Sequence, residues 1–476
     1  MTFDPCYTDA LELLDRYRRR EVSPVEVLEA QLRRVDEVDG ELGAIIERMD
    51  GEALTQARES ERRYRDGDAR PLDGITVAVK EKHAIAGHRV TEGSLAWDGI
   101  EATTDHPTVE RLRAAGAVFH ARTATPEFSI TTYTQSRKWG VTRNPWDPQF
   151  SPGGSSGGAG AALAAGMTTL ATASDIGGST RGPAAFTGTV GYKAPYGRVP
   201  GSGPTSLDYY RGDGALARTV GDALCMTNLI SGQHRLDQAS LPDKRIDAGR
   251  DVTGMRVAYS PDLDGYTVDS RIAANTAAMV DELVAAGCVV EPIAIGWSLD
   301  DLRTATAGHF AQMMSANVDN LVGDRTELLS DYTSEYLKLM TEVRKHLSMF
   351  DAVRAEYTLQ QTLAAAMDGF DALICPTTAA VGFVAGDNLF DGVEIEGQRV
   401  SWTEGMLTIP FNVNNRCPVL AVPSGFAGSM PTGVQLVGHP YDDDTVFALG
   451  RALEERRGRL FESRVPEVGV AKSAAR

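Results

Sequence analysis

Ser151-Pro152-Gly153-Gly154-Ser155-Ser156-Gly157-Gly158-Ala159-Gly160 leads into an alanine-rich stretch and a short apolar run, and then comes Ala173-Ser174-Asp175-Ile176-Gly177-Gly178-Ser179-Thr180-Arg181. These two clusters of glycine and serine decide how the chain is read. The pattern predicts a loop, a small-residue helix, a short strand and a second loop. Glycine tolerates unusual backbone angles and lets a ligand approach the main chain. Consecutive glycines at a turn aim several N–H groups into one concavity, which suits an oxyanion. A serine on such a turn lies close to those donors.

Three rival readings of glycine-rich loops fail on the residues. A phosphate-binding loop needs Gly-Lys-Ser/Thr after its glycines, and none follows here. A dinucleotide fingerprint needs a strand leading into the glycines, and the first cluster has none. There is also no Gly-x-Ser-x-Gly elbow.

Working outward, Gly74-Ile75-Thr76-Val77-Ala78-Val79-Lys80 follows a Pro/Asp/Gly turn and predicts a buried strand ending in a lysine. Two later segments share one design. Val109–Gly116 before Ala117-Val118-Phe119, and Val280–Gly287 before Cys288-Val289-Val290, each read as a helix stopped by glycine and then a strand. Further strands are expected at Met255–Ser260, Ala372–Cys375, Val419–Val422 and Gly433–Val437, and a late helix at Asp443–Arg457. The stretch from about Tyr7 to Tyr64 reads as helices, with Ser23-Pro24 as a cap and first-turn proline. Residues 298–367 read as a helical excursion. The expected fold class is therefore α/β, a mixed central sheet covered by helices on both sides. No linker is evident. One domain over 1–476 is expected, made of a helical arm (1–66), a core segment (67–235) and the remainder of the sheet (236–476).

The sequence resembles the amidase signature family. The resemblance lies in Ala78-Val79-Lys80-Glu81, in the two glycine–serine clusters, and in the lesser stretches Thr125–Phe128, Gly191–Val199 and Pro431–Gly438. It spans nearly the whole chain. Ser179 follows Ser155 by 24 residues and Lys80 precedes Ser155 by 75, separations similar to those in the family. The resemblance implies Ser179 as nucleophile, Ser155 as a bridge relaying protons, and Lys80 as base. It implies an oxyanion hole from the backbone N–H groups of Ile176, Gly177, Gly178 and Ser179, and a cis Gly154–Ser155 bond. Ser156, Asp175 and Arg181 are expected to brace the loops.

The residue types suit those roles. A serine hydroxyl is a poor nucleophile without an adjacent base. None of the eight histidines lies in the glycine loops. A lysine serves if burial strips its ammonium of water and lowers its pKa. A hydroxyl both donates and accepts, so Ser155 can pass a proton in either direction. His83 is expected on a surface loop. Tyr133, Arg137, Lys138 and Trp139 are candidates for the substrate mouth.

Departures from the family bear on substrate. Arg122-Thr123-Ala124 stands where many members have Lys-Thr-Asn, and Asn412–Pro418 lacks the usual glycine. The resemblance implies a stand-alone amidase acting on a small-molecule amide. The alternatives are a glutamine amidotransferase subunit working with partner subunits, or a non-catalytic binding protein on the same scaffold. Tyr209-Tyr210-Arg211-Gly212-Asp213-Gly214 after Ser206-Leu207-Asp208 does not match the Ser-Leu-Asp-x-x-Gly-Pro expected of the amidotransferase subunit. Relatives suggest a homodimer.

Bulk properties agree with a soluble enzyme. The 476 residues are 42% hydrophobic and 24% charged, enough for a sizeable core. A net charge of −18 excludes nucleic acid as a first partner. No cofactor or metal is called for: the five cysteines form no C-x-x-C pair. Cys225, Cys288 and Cys375 sit in apolar runs and read as buried thiols of a reducing compartment. No apolar run is long enough to span a membrane, and Met1–Ala10 has no signal pattern, so a cytoplasmic location is expected.

Overall fold

The computed structural model describes residues 3–469. Eleven strands form one sheet: β1 (Ile45–Arg48), β2 (Thr76–Lys80), β3 (Val118–Thr123), β4 (Leu170–Asp175), β5 (Val190–Lys193), β6 (Gly212–Ala217), β7 (Arg256–Tyr259), β8 (Val289–Pro292), β9 (Ala372–Pro376), β10 (Val419–Ala427) and β11 (Met430–Gly438). Their spatial order is β1-β3-β2-β4-β6-β5-β10-β11-β9-β7-β8. Pairing is parallel for β3-β2-β4 and for β9-β7-β8, and antiparallel through the middle. The mixed α/β sheet expected from the sequence is what the chain adopts.

Strand alternation builds a core on each face. Ala372 and Ile374 of β9 join one apolar cluster while Leu373 and Cys375 join another. Side chains two apart share a face, so one strand feeds both layers. β2 is central and buried at every position, which is why its β-branched run carries no polar alternation. Helix Pro24–Leu42 starts on a reciprocal cap between Ser23 and Glu26 with proline in its first turn. Helix Pro107–Ala115 stops at Gly116, which enters the left-handed region, and β3 follows.

The expected N-terminal helices are interrupted. Ile45–Arg48 forms β1 and pairs antiparallel with β3 at the sheet edge. Four residues between two helices carry too little pattern to announce a strand. Cys225 is half-buried at the margin of the core rather than enclosed, while Cys288 and Cys375 are buried as expected; all five cysteines are free thiols. Among the described residues no helix is long and apolar enough to cross a membrane.

What positions the site is the pairing of β2 with β4. The two run parallel as neighbours, with Val77 opposite Leu170 and Ala78 opposite Ala171. Their carboxyl ends therefore open on one side of the sheet, and Lys80 and Asp175 are the last residues of each.

Candidate active site

Lys80 reaches the two glycine–serine loops from the end of β2. Its Nζ lies 2.8 Å from Ser155 Oγ, 2.9 Å from Ser156 Oγ and 3.0 Å from Ser174 Oγ. The side chain is fully buried, and among the described residues no carboxylate forms an ion pair with it. Burial pushes its pKa well below the usual lysine value, and the Lys82 charge adds to the effect. A neutral amine here keeps two donors and one lone pair, so one of the three hydroxyls must donate to it. Ser156 Oγ is within 3.4 Å of the Ser174 carbonyl, to which it donates, and so faces the amine as an acceptor. The lone pair is left to Ser155 or Ser174.

Helix Gly157–Ala164 begins directly after the serine pair. The Gly154–Ser155 peptide bond is cis. A side chain on Gly154 would put its Cβ 2.5 Å from the Tyr133 carbonyl oxygen, so only glycine fits this close approach. The second loop is tied to the first by the Ser156 N–H, which donates to the Ser179 carbonyl at 3.2 Å. The backbones of the two loops are thus joined, and no hydrogen bond links the Ser155 and Ser179 hydroxyls. Such links commonly tighten only around substrate.

The second loop turns at Gly178, whose φ of +116° lies in the region glycine favours; a Cβ there would meet Thr408 Oγ1 at 2.0 Å. Asp175 organises the turn. Its carboxylate accepts from the Gly178 N–H at 2.8 Å and from the Thr180 N–H at 3.1 Å. This alters the expected set of four main-chain donors, because the Gly178 N–H is already spent. The N–H groups of Ile176, Gly177 and Ser179 donate to no acceptor among the described residues.

Asp175 is itself held by Arg181 through contacts of 2.9 and 3.0 Å, both side chains being fully enclosed. Burial pushes the Asp175 pKa up, but the Arg181 charge and its hydrogen bonds outweigh this and leave it well below the ordinary carboxylate range. Arg181 further donates to the Thr408 carbonyl, Gln435 and Asn412, and Asn412 donates back to Asp175. Thr408, Asn412 and Gln435 were not singled out from the sequence. Gln435 lies in the Pro431–Gly438 match and Asn412 opens the departure at 412–418, which were the available signals.

His83 is not on the surface. The chain turns after β2, with the His83 N–H donating to the Lys80 carbonyl, and the ring folds back into full burial. Its Nδ1 is 2.9 Å from Thr172 Oγ1, which also accepts the Lys80 N–H, and its Nε2 is 3.1 Å from Asp213 Oδ1. Burial lowers its pKa to about 3 despite Asp213. His106 stacks on His83 at 4.6 Å and faces the other Asp213 oxygen at 3.4 Å, while Arg211 approaches Asp213 at 3.2 Å. His83, His106 and Asp213 have ligand-type atoms within 4.8 Å of one another. His83 and Arg211 both meet Oδ1 of Asp213, while His106 Nε2 faces Oδ2 without a hydrogen bond.

Two cavities meet at the loops. One of about 170 Å³ is lined by Ser155, Lys82, Glu92 and Arg211 among others, and one of about 220 Å³ by Ser179, Gly177, Phe310 and Trp402 among others. Ser129, Ile176 and Met314 border both. Tyr133, Arg137, Lys138 and Trp139 line neither. Tyr133 is buried, and Arg137 is committed to the carbonyls of Glu327 and Leu329. Side chains of the helical excursion, among them Phe310, Met314, Tyr336 and Met340, line these cavities.

A family model described as Amidase matches residues 26–447. The chain is 30% identical over 482 residues to a glutamyl-tRNA(Gln) amidotransferase subunit of Carboxydothermus hydrogenoformans, covering 94% of this chain and 97% of that protein. It is 30% identical to the corresponding protein of Moorella thermoacetica, covering 98% and 99%. Among solved structures, a bacterial aryl acylamidase of the amidase signature family superposes with a TM-score of 0.87 at 25% identity, covering 94% of this chain and 96% of that one. The 6-aminohexanoate cyclic dimer hydrolase complexed with substrate superposes at 0.81 and 26% identity, covering 97% and 99%.

Proposed function

The chain belongs to the amidase signature family, and from that premise we propose that it hydrolyses the C–N bond of a carboxylic amide through a covalent acyl-serine intermediate. Ser179 Oγ attacks the carbonyl carbon. Its proton passes to Ser155 Oγ as the Ser155 proton passes to Lys80 Nζ. The developing oxyanion is met by the free N–H groups of Ile176, Gly177 and Ser179, each such donor contributing about 2.7–4 kcal/mol to the transition state. Collapse returns the proton from Lys80 through Ser155 to the leaving nitrogen, and the C–N bond breaks. Water then repeats the sequence on the acyl-enzyme and releases the acid. Asp175 and Arg181 hold the loop and touch no reacting atom.

The observation that carries the proposal is a fully buried lysine whose amine meets three hydroxyls and no carboxylate. A structural lysine at such a site would be paired or would reach water. The test combines a serine-reactive fluorophosphonate probe with a panel of small amides, on wild type and Ser179→Ala. Labelling at Ser179 and turnover lost in Ser179→Ala are expected. Unlabelled Ser179 in folded protein would favour a non-catalytic binding protein.

A second reading has its own support. Curated relatives at 30% identity over 94–98% of the chain are amidotransferase subunits. The segment after Ser206-Leu207-Asp208 speaks for the first reading, because Tyr209 and Tyr210 replace the expected pattern and bond Glu356 at 2.8 Å each. Glutaminase activity appearing only on addition of partner subunits would move the assignment to the second. The proposal takes the protein as a cytoplasmic enzyme acting on a small-molecule amide.

A further inference from the structure

The two cavities differ in chemistry more than in size, and each serine opens onto a different one. Ser155 lines the smaller cavity and not the larger; Ser179 lines the larger and not the smaller. The larger is walled by Phe310, Tyr336, Met340, Phe390 and Trp402, and the charged residue at its wall, Arg303, is already paired with Asp300 and Glu404. The smaller contains Lys82 and Glu92, with side chains only 15% and 21% exposed. Their closest approach is 3.9 Å, and among the described residues neither head group makes a hydrogen bond. The other charged groups of that cavity are occupied. Asp208 accepts from His309 at 2.8 Å and from the Tyr210 N–H, and Arg211 is held by Thr205 and Asp213.

Resting on the proposed hydrolysis, we infer that the substrate is an amide with an apolar, aryl-sized acyl group and a hydrophilic amine part whose head group both accepts from Lys82 and donates to Glu92. The orientation follows from the reaction. The carbonyl carbon bonds to Ser179 while its oxygen faces the main-chain donors. The leaving nitrogen must face Ser155, which returns its proton, so the amine part extends into the cavity that Ser155 lines. The acyl group extends the other way, beside Ser179, into the apolar cavity. A hydroxyl is the smallest head that offers an acceptor and a donor at once. An alkyl chain in its place would strip water from Lys82 and Glu92 and give nothing back. Burying unpaired polar groups in this way is what makes sites built for hydrogen bonding discriminate strongly. The depressed Lys82 pKa, caused chiefly by burial and opposed by Glu92, is consistent with an ammonium short of partners.

The test uses the full chain and matched amides: N-(2-hydroxyethyl)benzamide, its methyl-for-hydroxyl counterpart N-propylbenzamide, and the anilide of glycolic acid, in which the two polarities are exchanged. The hydroxyethyl amide is expected to exceed the propyl amide by at least about tenfold in kcat/KM. It is expected to exceed the anilide too, although aniline is the better leaving group. In Lys82→Met the hydroxyethyl-to-propyl ratio is expected to fall to near one. Should that variant misfold, the ratio in Lys82→Arg and the two wild-type comparisons still decide. A propyl amide cleaved as well as the hydroxyethyl amide, a faster anilide, or an unchanged ratio in folded Lys82→Met would overturn the inference. If no amide is cleaved and the fluorophosphonate leaves Ser179 unlabelled, the proposed hydrolysis itself has failed; cleavage without the preference removes only the inference.

Discussion

Lys80 and Arg181 are both cations sealed from solvent, on neighbouring parts of one site, and they are treated in opposite ways. Arg181 is matched by a carboxylate at 2.9 Å and by acceptors from Thr408, Gln435 and Asn412. Lys80 has hydroxyls alone, and its charge is what burial penalises. A buried charge persists only where it is paired, and otherwise the group neutralises. One cation thus fixes geometry, and the other, left unpaired, becomes a base. The contrast divides the variants into those that cost rate and those that cost stability.

The largest expected effects fall on rate. Ser179→Ala and Lys80→Met should each lower kcat by 10³-fold or more, as expected where members of a triad act as a unit. Lys80→Met should nevertheless fold at least as stably as wild type, because an apolar chain of similar length carries no ammonium to desolvate. Amide turnover and urea unfolding on the same preparations check both halves. A Lys80→Met protein that is active, or that unfolds as readily as an Arg181 variant, would erase the distinction between the two cations.

Next comes Arg181→Met, which strands the Asp175 carboxylate in a sealed site. Removing one partner of a buried pair costs about 3–5 kcal/mol. The urea midpoint should fall accordingly, with any loss of rate following from disorder of the loop. Arg181→Met combined with Asp175→Asn should recover part of that loss. Full stability in the single variant would mean that Asp175 is satisfied by its N–H donors and Asn412 alone.

A third expectation concerns pH and is smaller. The folded-state pKa of Lys80 is depressed, so below about 10.4, the ordinary lysine value, the unfolded chain binds a proton that the folded chain gives up. Stability from this group is therefore complete above that value and declines as pH falls toward the folded pKa. The advantage of Lys80→Met over wild type in unfolding free energy should shrink as pH is raised from 7 to 10, whereas turnover should rise with pH only through the lower folded pKa, where the amine is freed. His309 has the opposite sign. Burial lowers its pKa, but the hydrogen bond to Asp208 and the Glu356 carboxylate 3.6 Å from Nδ1 outweigh this and raise it, so its contribution is complete below about 6.5 and declines as pH rises through the folded value. His309→Gln separates the two slopes. A stability difference between wild type and Lys80→Met that is flat with pH would show that Lys80 stays charged when folded.

How much of this was legible in the sequence depends on the reach of each interaction. The glycine–serine loops, β2 with its terminal lysine, and the helix–glycine–strand units are local, so spacing and residue type displayed them. His83 was misplaced because its partner Asp213 lies 130 residues away and nothing near His83 announces it. The same holds for Phe310 and Met314, which reach the loops only through the packing of the helical excursion. The fourth expected donor was lost for a subtler reason: the Gly178 N–H turns to a side chain three residues earlier, and sequence does not say which way a peptide faces.

The smallest effect is expected at Ser156, and it sharpens the contrast from inside the lysine's own shell. Of the three hydroxyls around Lys80, that of Ser156 donates to the Ser174 carbonyl and can only accept from the amine. It aims the lone pair without receiving or supplying the travelling proton. Ser156→Ala should therefore cost about 0.5–1.5 kcal/mol of stability and roughly tenfold in kcat, with little change in KM. Ser155→Ala should be far more severe in kcat, since its hydroxyl would carry the proton itself. Equal losses for the two variants would mean that the amine draws on whichever hydroxyl is nearest, and that the neighbours of an unpaired cation are interchangeable in a way that those of Arg181 are not.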